Sequence, residues 1–451
     1  MSDVTLEEIA SLCKRRGFIY QGSEIYGGLA GTWDYGPLGV QLKRNISNLW
    51  WKFFVESRGD MYGLDSAILM NPKVWEASGH VAGFTDPLIE DVKTKKRYRL
   101  DHLLEDAGVD IKGLGLDQMV IALEQKSVKS PEGNDLSNPA NFNLLFETSI
   151  GSVAGEGSKV YLRGETAQGM FVNFKNIVDS FYPDLPFGIA QIGRAFRNEI
   201  SPRDFIFRVR EFEIAEFEYF IRPETWEAEF EKWRQEFYKW FDVLGLSKDS
   251  IHELEVPPED RAHYSKRTID FEYDFPHGRK ELYGLAYRTD FDLANHQTAS
   301  GKSMEYRPKD GSAPLVPHVI EPTFGVDRTL LAVLCGAYTQ DEVNGEKRIY
   351  LKLSKDLAPV KAAVSPLLKN KPELVTKARE VYAMLQKQLG SVMWDDNGNI
   401  GKRYRRQDEI GTPVCITVDF QTLEDNTVTV RNRDTAEQKR ISIDELLSEL
   451  S

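Results

Sequence analysis

Five arginines crowd the stretch from Gly188 to Phe220, and they are the most chemically informative feature of the sequence. These residues are Arg194, Arg197, Arg203, Arg208 and Arg210. Guanidinium groups bind phosphate oxygens in bidentate fashion, so this density suits a polyphosphate ligand. An ordinary strand with one solvated face would show a similar alternation of apolar and charged residues, and the pattern alone leaves that interpretation open.

Glu199 follows Arg197 by two residues, so on a strand the two side chains point to one face. A carboxylate can accept a hydrogen bond from an adenine amino group while the arginine binds phosphate. Together the two residues predict a candidate ATP site.

A β-loop-β unit must position these groups. The apolar pattern predicts a first strand that begins at Gly188 and ends near Phe196. The segment from Asn198 to Asp204 contains Pro202 and is predicted as a loop. Phe205 to Phe220 alternates apolar and charged residues and is predicted as the second strand.

Composition bounds the class of protein. The chain has 451 residues, a formal net charge of −13 and 41% hydrophobic residues, which suits a globular protein of two or three domains. The acidic balance argues against a general nucleic-acid coat protein without excluding a local basic face. Cys13, Cys335 and Cys415 lie far apart and in no metal-ligand spacing. We therefore expect a reducing, cytoplasmic compartment and no disulfide framework.

Other signals are missing from the sequence. The seven histidines form neither an HxxxH nor an HExxH pattern, so a structural zinc is not predicted. No apolar run approaches the roughly 18 residues of a membrane span. Residues 5–16 carry acids early and bases late, which predicts a first helix and not a signal peptide.

Strands and helices are mixed through the first 340 residues. The expected elements before the arginine hairpin are a turn-rich segment from Gly22 to Gly39, a helix from Val40 to Ser57, a strand leading to Asn71-Pro72 and a charged insertion from about 83 to 141. After it we expect a helix from Pro223 to Leu246, whose aromatic stripe belongs to the core, and a strand from Tyr283 to Leu293 that places Arg288, Asp290 and Asp292 on one face. Residues 316–334 are predicted to run strand, turn and helix.

A second domain of alternating strands and helices is predicted after a linker at about Gln340 to Lys347. Its expected elements are a strand at Ile349–Leu353, helices at Lys355–Lys369 and Pro372–Gly390, three strands near Ser391–Trp394, Val414–Asp419 and Thr427–Arg431, and a final helix. A basic cluster in this domain interleaves cations with an aromatic ring and consists of Lys402, Arg403, Tyr404, Arg405 and Arg406. Such a cluster suits RNA backbone contacts and base stacking, although a solvated helix end would look the same.

Several strings resemble the class II aminoacyl-tRNA synthetases. Phe196-Arg197-Asn198-Glu199 with its loop and second strand resembles motif 2 (188–220), and Gly325 with Arg328 resembles the Gly-x-x-Arg of motif 3 (316–334). The helix and strand from about 40 to 72 are similar to motif 1. The fuller string RNEISPR…RVREFEIAE resembles the glycyl-tRNA synthetase family in particular.

The resemblance implies a fold and a reaction. It implies an α+β catalytic core with an antiparallel sheet over residues 1–340 and a C-terminal α/β anticodon-binding domain over residues 347–451. It implies that glycine is activated by ATP to an adenylate and transferred to tRNA(Gly), with Mg²⁺ as cofactor. Motif 1 implies a homodimer.

The resemblance also assigns the ATP site. Arg197 would hold the α-phosphate, Glu199 would meet the adenine amino group and Arg328 would clamp the γ-phosphate; these three are the expected catalytic residues. The implied ATP-binding set is Arg197, Asn198, Glu199, Phe207, Arg208, Val209, Arg210, Glu211, Phe212, Glu281, Leu282, Gly325, Val326, Asp327 and Arg328. Phe212 would stack on adenine, and Glu281 would bind the magnesium ion.

Glutamates are expected around the glycine ammonium group. Glu165, Glu216 and Glu321 lie on three separate matching strings, and three carboxylates would bind one cation while crowding out a larger side chain. The implied glycine-binding set is Arg99, Glu165, Phe212, Glu213, Ile214, Ala215, Glu216, Arg288, Glu321, Pro322, Thr323, Phe324 and Gly325, with Arg288 pairing the substrate carboxylate. Phe212 and Glu216 share strand parity and should face one side of the sheet, whereas the side chains of Glu213 and Glu218 are expected to face solvent.

The basic cluster from Lys402 to Arg406 is implied to bind tRNA, because its surroundings resemble the shared anticodon-binding domain. Two alternatives remain open at this point. One is a related class II enzyme for another small amino acid, which would not need three glutamates. The other is a non-catalytic RNA-binding paralogue, which would be expected to lack Arg197 and Arg328.

Overall fold

A seven-stranded sheet lies at the centre of the computed structural model, which describes residues 4–111, 113–151, 158–343 and 345–450. Its strands come from three separate parts of the chain, and every pairing in it is antiparallel except one. Helices cover both faces of this sheet, so most of its residues are buried.

The N-terminal part supplies helices that pack on the sheet and one edge strand. Its elements are α1 (Leu6–Arg16), β1 (Ile19–Gln21), β2 (Trp33–Tyr35), α2 (Pro37–Trp51), β3 (Met61–Gly63), α3 (Pro72–Ala77) and α4 (His80–Gly83). Thr5 caps α1 through a capping box with Glu8, and the first helix is confirmed. The long helix begins earlier than expected because Pro37 is preorganised for a first helical turn. Asn71 caps α3 and does not end a strand, so that detail of the prediction is wrong.

The insertion folds as a small unit with its own core. It contains β4 (Thr85–Glu90), β5 (Arg97–Arg99), α5 (Leu100–Asp106), α6 (Leu116–Lys126) and β6 (Ala140–Asn143). The three strands form a separate antiparallel sheet in the order β5-β4-β6. Ile89, Leu100 and Leu104 are completely buried there, so this segment has a local apolar reason to be ordered.

The next stretch of chain supplies the other six strands of the seven-stranded sheet. Its elements are β7 (Glu147–Ile150), β8 (Ser158–Tyr161), α7 (Ala167–Phe181), β9 (Phe187–Phe196), β10 (Glu211–Ile221), α8 (Trp226–Leu244), β11 (Ile251–Glu255), β12 (Arg267–Phe275), β13 (Gly278–Thr289), α9 (Phe291–Ser300), β14 (His318–Gly325) and α10 (Val326–Ala337). The strand order is β11-β12-β13-β14-β10-β9-β3, with β3 parallel to β9.

Strand parity assigns each β10 side chain to one of two cores. Phe217 and Tyr219 pack with α2, α8 and α10 on one face. Phe220 packs with Phe174 of α7 on the other face. Phe212 and Glu216 have the parity of Phe220, so the expectation that they share a face is confirmed.

Two predicted boundaries in this domain are wrong. The second hairpin strand begins at Glu211, because Asp204 and Phe205 both adopt left-handed φ values, near 60° and 58°, and the chain turns there. The strand predicted over 283–293 ends at Thr289, and Asp292 lies in helix α9. The parity argument for Arg288, Asp290 and Asp292 therefore fails. The aromatic stripe of α8 is confirmed as core: Phe230, Trp233 and Phe237 are fully buried.

The C-terminal part builds a five-stranded sheet. Its elements are β15 (Tyr338–Val343), β16 (Glu346–Leu351), β17 (Ala362–Pro366), α11 (Pro372–Leu389), β18 (Val392–Trp394), α12 (Ile400–Glu409), β19 (Val414–Val418), α13 (Phe420–Asp425), β20 (Thr427–Asn432), β21 (Gln438–Ser442) and α14 (Leu446–Leu450). The sheet order is β18-β17-β19-β20-β21, parallel around β17 and antiparallel beyond β19. The predicted α/β arrangement is confirmed.

Two predictions in this part are wrong. The expected linker at 340–347 belongs to paired strands β15 and β16. The helix expected at Lys355–Lys369 does not form, since Pro359 and Pro366 interrupt it, and the apolar run from Ala362 to Pro366 becomes the inner strand β17. No helix in the described part of the chain is long and apolar enough to cross a membrane.

Candidate active site

A cleft of about 120 Å³ opens where the arginine hairpin meets strands β13 and β14. It is lined by Arg197, Glu199, Ile206, Phe207, Arg208, Val209, Phe212, Glu213, Ile214, Glu281, Leu282, Thr323, Gly325, Asp327 and Arg328. Three cations from two distant segments thus meet in one cavity. This is the arrangement that the hairpin and the Gly-x-x-Arg string predict.

Arg197 is held in the cleft by the backbone and by aromatic rings. Its Nε donates to the carbonyl oxygen of Gly164 at 3.1 Å. Its guanidinium lies 5.3 Å from the ring centre of Phe212 and 5.2 Å from that of Phe84. The two Nη atoms donate to no described residue, so they are available to an anionic ligand.

Arg328 lies in the first turn of α10. Its Nη1 donates to the carbonyl oxygen of Glu281 at 3.0 Å and to the Glu281 carboxylate at 3.1 Å, and its guanidinium packs 4.4 Å from the ring centre of Phe207. Arg208 approaches from the hairpin turn, with Nη1 3.4 Å from His102 Nε2. Both arginines therefore have orienting partners without being saturated by carboxylates.

Glu199 is buried, and its Oε2 accepts no hydrogen bond from the described residues. The nearest cation is Arg208, whose Nη1 lies 4.0 Å from Oε2. Arg210 donates to the Glu199 carbonyl oxygen from Nε and Nη2, at 3.2 and 3.0 Å, which fixes the backbone here. A buried acceptor without a donor suits a ligand amino group.

Asp327 lines the cleft and is bonded to three neighbouring elements. Its carboxylate accepts from the hydroxyl of Tyr35, from Lys43 Nζ at 2.9 Å and from the backbone N–H of Glu213 at 2.6 Å. These bonds tie the start of α10 to α2 and β10. The Asp327 side chain therefore positions the elements around the cleft, and sequence reasoning missed Tyr35 and Lys43.

Glu281 and Asp270 form an acidic pair at the outer side of the cleft. Burial raises the pKa of Asp270 to about 7, and the neighbouring carboxylate of Glu281 acts in the same direction. Carboxylate oxygens are the donors that a hard divalent cation prefers, and a magnesium ion needs only one or two of them besides phosphate oxygens. No group of three or more His, Cys, Asp or Glu side chains that could hold a metal ion occurs in the described ranges.

Three carboxylates lie close together near the middle of β10. Glu165, Glu216 and Glu321 come from three separate segments and are all buried. Glu216 accepts from the backbone N–H of Thr166 at 2.9 Å and from the Thr166 hydroxyl. Burial raises the pKa of Glu216 to about 7, and the nearby carboxylates of Glu321 and Glu165 contribute to this rise. The three motif strings thus converge on one acidic site.

Glu165 is the ionised member of this group. Its Oε2 lies 3.2 Å from His80 Nε2, and its Oε1 accepts from Gln168 at 3.0 Å. Burial alone would raise the pKa of Glu165, but His80 and Arg288 outweigh it and hold the pKa below its usual range. Gln168 lay inside the string that suggested Glu165, whereas His80 gave no sequence signal.

Arg288 is paired within the protein. Its guanidinium is buried and donates to Asp292 from Nε and Nη2, at 2.8 and 2.9 Å, and to Glu321 from Nη1 at 2.8 Å. Tyr264 covers its face at 3.6 Å from the ring centre. Arg288 therefore orients Glu321, and its pairing with a substrate carboxylate stays a prediction.

The expectation that Glu218 faces solvent is wrong. Glu218 has 0% relative exposure because it has the parity of Glu216 and lies under the helices on that face of the sheet. Glu213 is on the opposite face, where it pairs with Lys43 Nζ at 3.0 Å and keeps 27% of its side chain exposed. The expected solvation of Glu213 is therefore only partly correct.

Other predicted glycine-site residues divide between the site and the core. The side chains of Ala215 and Phe324 pack in the large apolar core on the opposite face of the sheet. Thr323 lines the cleft. Arg99 lies in the insertion, where it pairs with Asp86 and Asp101.

The basic cluster lies on α12 and is mostly engaged within its own domain. Arg403 is buried and bonds the carbonyl oxygens of Pro366 and Gly398. Tyr404 bonds Thr417 and packs against Arg431, and Arg406 pairs with Asp395. Lys402 and Arg405 are exposed, and Arg405 pairs with Glu346.

Comparison with known proteins adds independent information. Residues 152–336 match the tRNA synthetase class II core domain (G, H, P, S and T), and residues 361–451 match an anticodon binding domain. The chain is 47% identical to a glycine--tRNA ligase from Thermus thermophilus, covering 98% of this chain and 97% of the relative. It is 48% identical to the glycine--tRNA ligases of Deinococcus radiodurans and Mycoplasmopsis synoviae, covering 99% of this chain and 98% and 99% of those relatives.

The geometry and the relatives agree on the same conclusion. Motif arginines meet in one cleft, three buried glutamates from separate segments lie close to one another, and the chain matches two domain models and relatives over nearly its full length. Class II synthetase cores use ATP as a substrate. The chain belongs to the glycine--tRNA ligase family of class II aminoacyl-tRNA synthetases.

Proposed function

We propose that this chain attaches glycine to tRNA(Gly) through a glycyl-adenylate, releasing diphosphate and then AMP. The observation that carries the proposal is the convergence of Glu165, Glu216 and Glu321 beside the arginine cleft. The acidic group suits the ammonium of an amino acid, and the arginines suit the triphosphate. The glycine carboxylate then lies between them, next to the α-phosphate.

The first step needs charge stabilisation and orientation more than proton transfer, because the attacking carboxylate is already an anion. Arg197 is the candidate for the α-phosphate, since its Nη atoms are unpaired in the described chain while its Nε is anchored on Gly164. Arg328 and Arg208 are candidates for the outer phosphates. Developing negative charge on these oxygens would be met by cations that are already oriented.

Adenine would lie between Phe212 and the hairpin turn. The orphan Oε2 of Glu199 would accept from the adenine amino group, and Arg210 keeps the Glu199 backbone in place. Glu281 and Asp270 would hold a magnesium ion, which neutralises phosphate charge when it is bound. Asp270 is an addition to the sequence-based assignment.

Selection of glycine would follow from crowding. A side chain on the α-carbon would have to enter a group of buried carboxylates that are bonded to Thr166, Gln168 and Arg288. These partners leave little room for relaxation, and overpacking costs roughly 1–3 kcal/mol or more. No separate editing step is required by this arrangement.

We further propose the catalytic domain over 1–340, the anticodon-binding domain over 347–451 and a homodimer built on the motif 1-like segment. Lys402 and Arg405 are the members of the α12 cluster best exposed to tRNA. Sedimentation at micromolar protein concentration should give twice the chain mass. An active monomer would overturn the dimer.

The test of the main proposal is pyrophosphate exchange with a panel of amino acids. Glycine should support ATP-pyrophosphate exchange, and alanine and serine should support far less. Transfer to tRNA(Gly) should then follow in the presence of glycine. Equal exchange with alanine would contradict the crowding argument, and no exchange with any amino acid would contradict the proposed reaction.

A further inference from the structure

Glu218 is a buried carboxyl group without a hydrogen-bond partner. Its relative exposure is 0%, and neither Oε1 nor Oε2 bonds to any residue that the structure describes. An ionised carboxylate in this position would be removed from water without a donor to replace it, which is the costliest state available to it. Burial accordingly raises the pKa of Glu218 well above its usual range, with Glu321 acting in the same direction. Burial and the missing donors thus both favour the neutral carboxylic acid at Glu218.

Acidic groups around Glu218 outnumber the cations. Glu216 precedes it by two residues on the same face of β10, and Glu321 of β14 and Asp292 of α9 act on it electrostatically. Glu165 completes the acidic group from the segment before α7 and acts on Glu216. Five carboxyl groups thus share one buried region.

Compensating charge is limited on every element packed against this region. Arg288 of β13 is already bonded to Asp292 and Glu321, and His80 of α4 contacts Glu165. Arg163 approaches Glu216 from before α7 but bonds the carbonyl oxygens of Arg194 and Ser66. His296 of α9 bonds Gln168, and burial lowers the pKa of this histidine. Tyr264 covers Arg288 and remains a neutral phenol, because burial raises its pKa.

This imbalance means that the empty site must hold protons. Glu218 accounts for one of them. Burial raises the pKa of both Glu216, to about 7, and Glu321. Arg288 donates to Glu321, whereas the donors to Glu216 are the neutral N–H and hydroxyl of Thr166, so the second proton is assigned to Glu216. An ammonium group placed between Glu165, Glu216 and Glu321 would supply the missing positive charge.

We propose that amino-acid binding at this site exchanges an ammonium group for a proton, with Glu216 as the carboxyl that loses the proton and Glu218 as an acid that stays protonated beneath it. The inference rests on the proposed binding of glycine. The step is balanced: the glycine amine enters as ammonium and keeps its protons, Glu216 becomes a carboxylate paired with it, and its proton passes to the solvent buffer. No covalent bond forms or breaks other than the O–H bond of Glu216.

Calorimetry measures the exchanged proton directly. Glycine is titrated into the full-length protein in buffers of different ionisation enthalpy, and the slope of observed enthalpy against buffer enthalpy gives the number of protons released. We expect about half a proton at pH 7, nearly one at pH 6 and nearly none at pH 9, as the occupancy of Glu216 requires. Saturable glycine binding with no proton release at pH 6 would overturn the inference but leave the proposed function intact. If glycine did not bind at all, the proposed function would fail as well.

Two matched variants assign the proton. Glu216→Gln should abolish the release at glycine concentrations that saturate the variant. Glu218→Gln replaces a neutral acid by a neutral amide of the same size, so proton release should persist and glycine affinity should stay within about threefold. If Glu218→Gln weakened glycine binding as much as Glu216→Gln does, Glu218 would be ionised and the inference would be wrong.

Infrared spectroscopy of the unmutated protein avoids dependence on the variants. The difference spectrum between glycine-bound and free protein at pH 6 should lose one protonated-carboxyl band and gain one carboxylate band. A second protonated-carboxyl band, from Glu218, should remain in both states. A spectrum without loss of a protonated-carboxyl band would contradict the exchange even if every variant failed to fold.

Discussion

The start and the middle of β10 hold opposite charges in opposite ways. Beside Phe212, Arg197 is anchored by a single bond to a backbone carbonyl and by aromatic rings, and it retains unpaired Nη atoms in the described chain. Beside Glu216, the carboxylates are buried and hydrogen-bonded. Thr166 donates to Glu216, and Arg288 is shared by Asp292 and Glu321.

Because of this difference, removing a charge should affect ligand binding in one region and also the stability of the fold in the other. A cation that is anchored by one backbone bond can be removed with little effect on the fold, while its absence is felt when phosphate charge must be stabilised. A buried charge that is bonded to two partners leaves those partners uncompensated when it is removed. The arginine cleft should therefore respond to substitution in activity, and the carboxylate region in both activity and stability.

Replacing Arg288 by Met should produce the largest loss of stability. Arg288→Met leaves Asp292 and Glu321 buried without their cation, and breaking a buried pair costs about 3–5 kcal/mol. The midpoint of urea unfolding, followed by circular dichroism, checks this. Arg194→Met is the control, because Arg194 forms an exposed pair with Glu211 and its loss should leave the midpoint unchanged. Equal midpoints for Arg288→Met and the parent protein would contradict the claim that the carboxylate region depends on Arg288 for its stability.

Arg197→Ala should lower kcat of glycine-dependent pyrophosphate exchange by about 10²-fold or more, because it removes an oriented cation from the charge that develops on the phosphate. Its melting temperature should change little, since the Arg197 side chain makes one hydrogen bond to the described residues, to the Gly164 carbonyl oxygen. Exchange kinetics and a thermal melt on the same preparation test the expected loss of kcat and the expected constancy of the melting temperature. Near-normal exchange by a folded variant would remove Arg197 from the phosphate site.

Glu216→Gln should raise the glycine KM by about tenfold or more, with a smaller change in the ATP KM, because a hydrogen bond to a charged group contributes about 1.5–3 kcal/mol. Steady-state exchange at varied glycine and ATP separates the two constants. Glu231→Gln is the matched control, since Glu231 pairs with Arg234 at the surface of α8. An unchanged glycine KM in Glu216→Gln would place the ammonium group elsewhere.

Glu218→Gln should have the smallest effect, a gain in stability that depends on pH. The folded pKa of Glu218 lies above the unfolded value, so the folded protein binds the extra proton and loses stability as pH rises from the unfolded pKa toward the folded one. The amide has no proton to lose. The variant should melt a few degrees higher than the parent protein at pH 8, and this difference should vanish near pH 4. A variant that melts lower at pH 8 would mean that the carboxyl is ionised and held by partners.

Much of the arginine cleft could be predicted from sequence, because its information is local. Arg197 and Glu199 lie two residues apart on one hairpin, and Gly325 and Arg328 lie at one strand-helix junction. The parity of Phe212 and Glu216 also follows from a strand period of two. The start of β10 could not be predicted in this way, because the left-handed turn at Asp204 and Phe205 interrupts a continuous alternating pattern.

The carboxylate region shows where local reasoning ends. Parity alone would have placed Glu218 with Glu216, but whether that face is wet or dry depends on α7 and α9, which lie far away in sequence. Strand parity placed Asp292 on the face of Arg288, but the pairing of the two residues arises because the chain turns after Thr289 and the Asp292 carboxylate accepts from Arg288 as part of helix α9. His80, Lys43 and Tyr35 reach the site from other segments without any spacing signal.

The sequence by itself determined the residue types, the two domains and the strand faces, because each depends on neighbours within a few positions. The tertiary structure decided which charges are buried, which are already paired and which carboxyl must carry a proton. Those properties depend on the dielectric surroundings and on partners from several elements, so they exist only once the chain has folded.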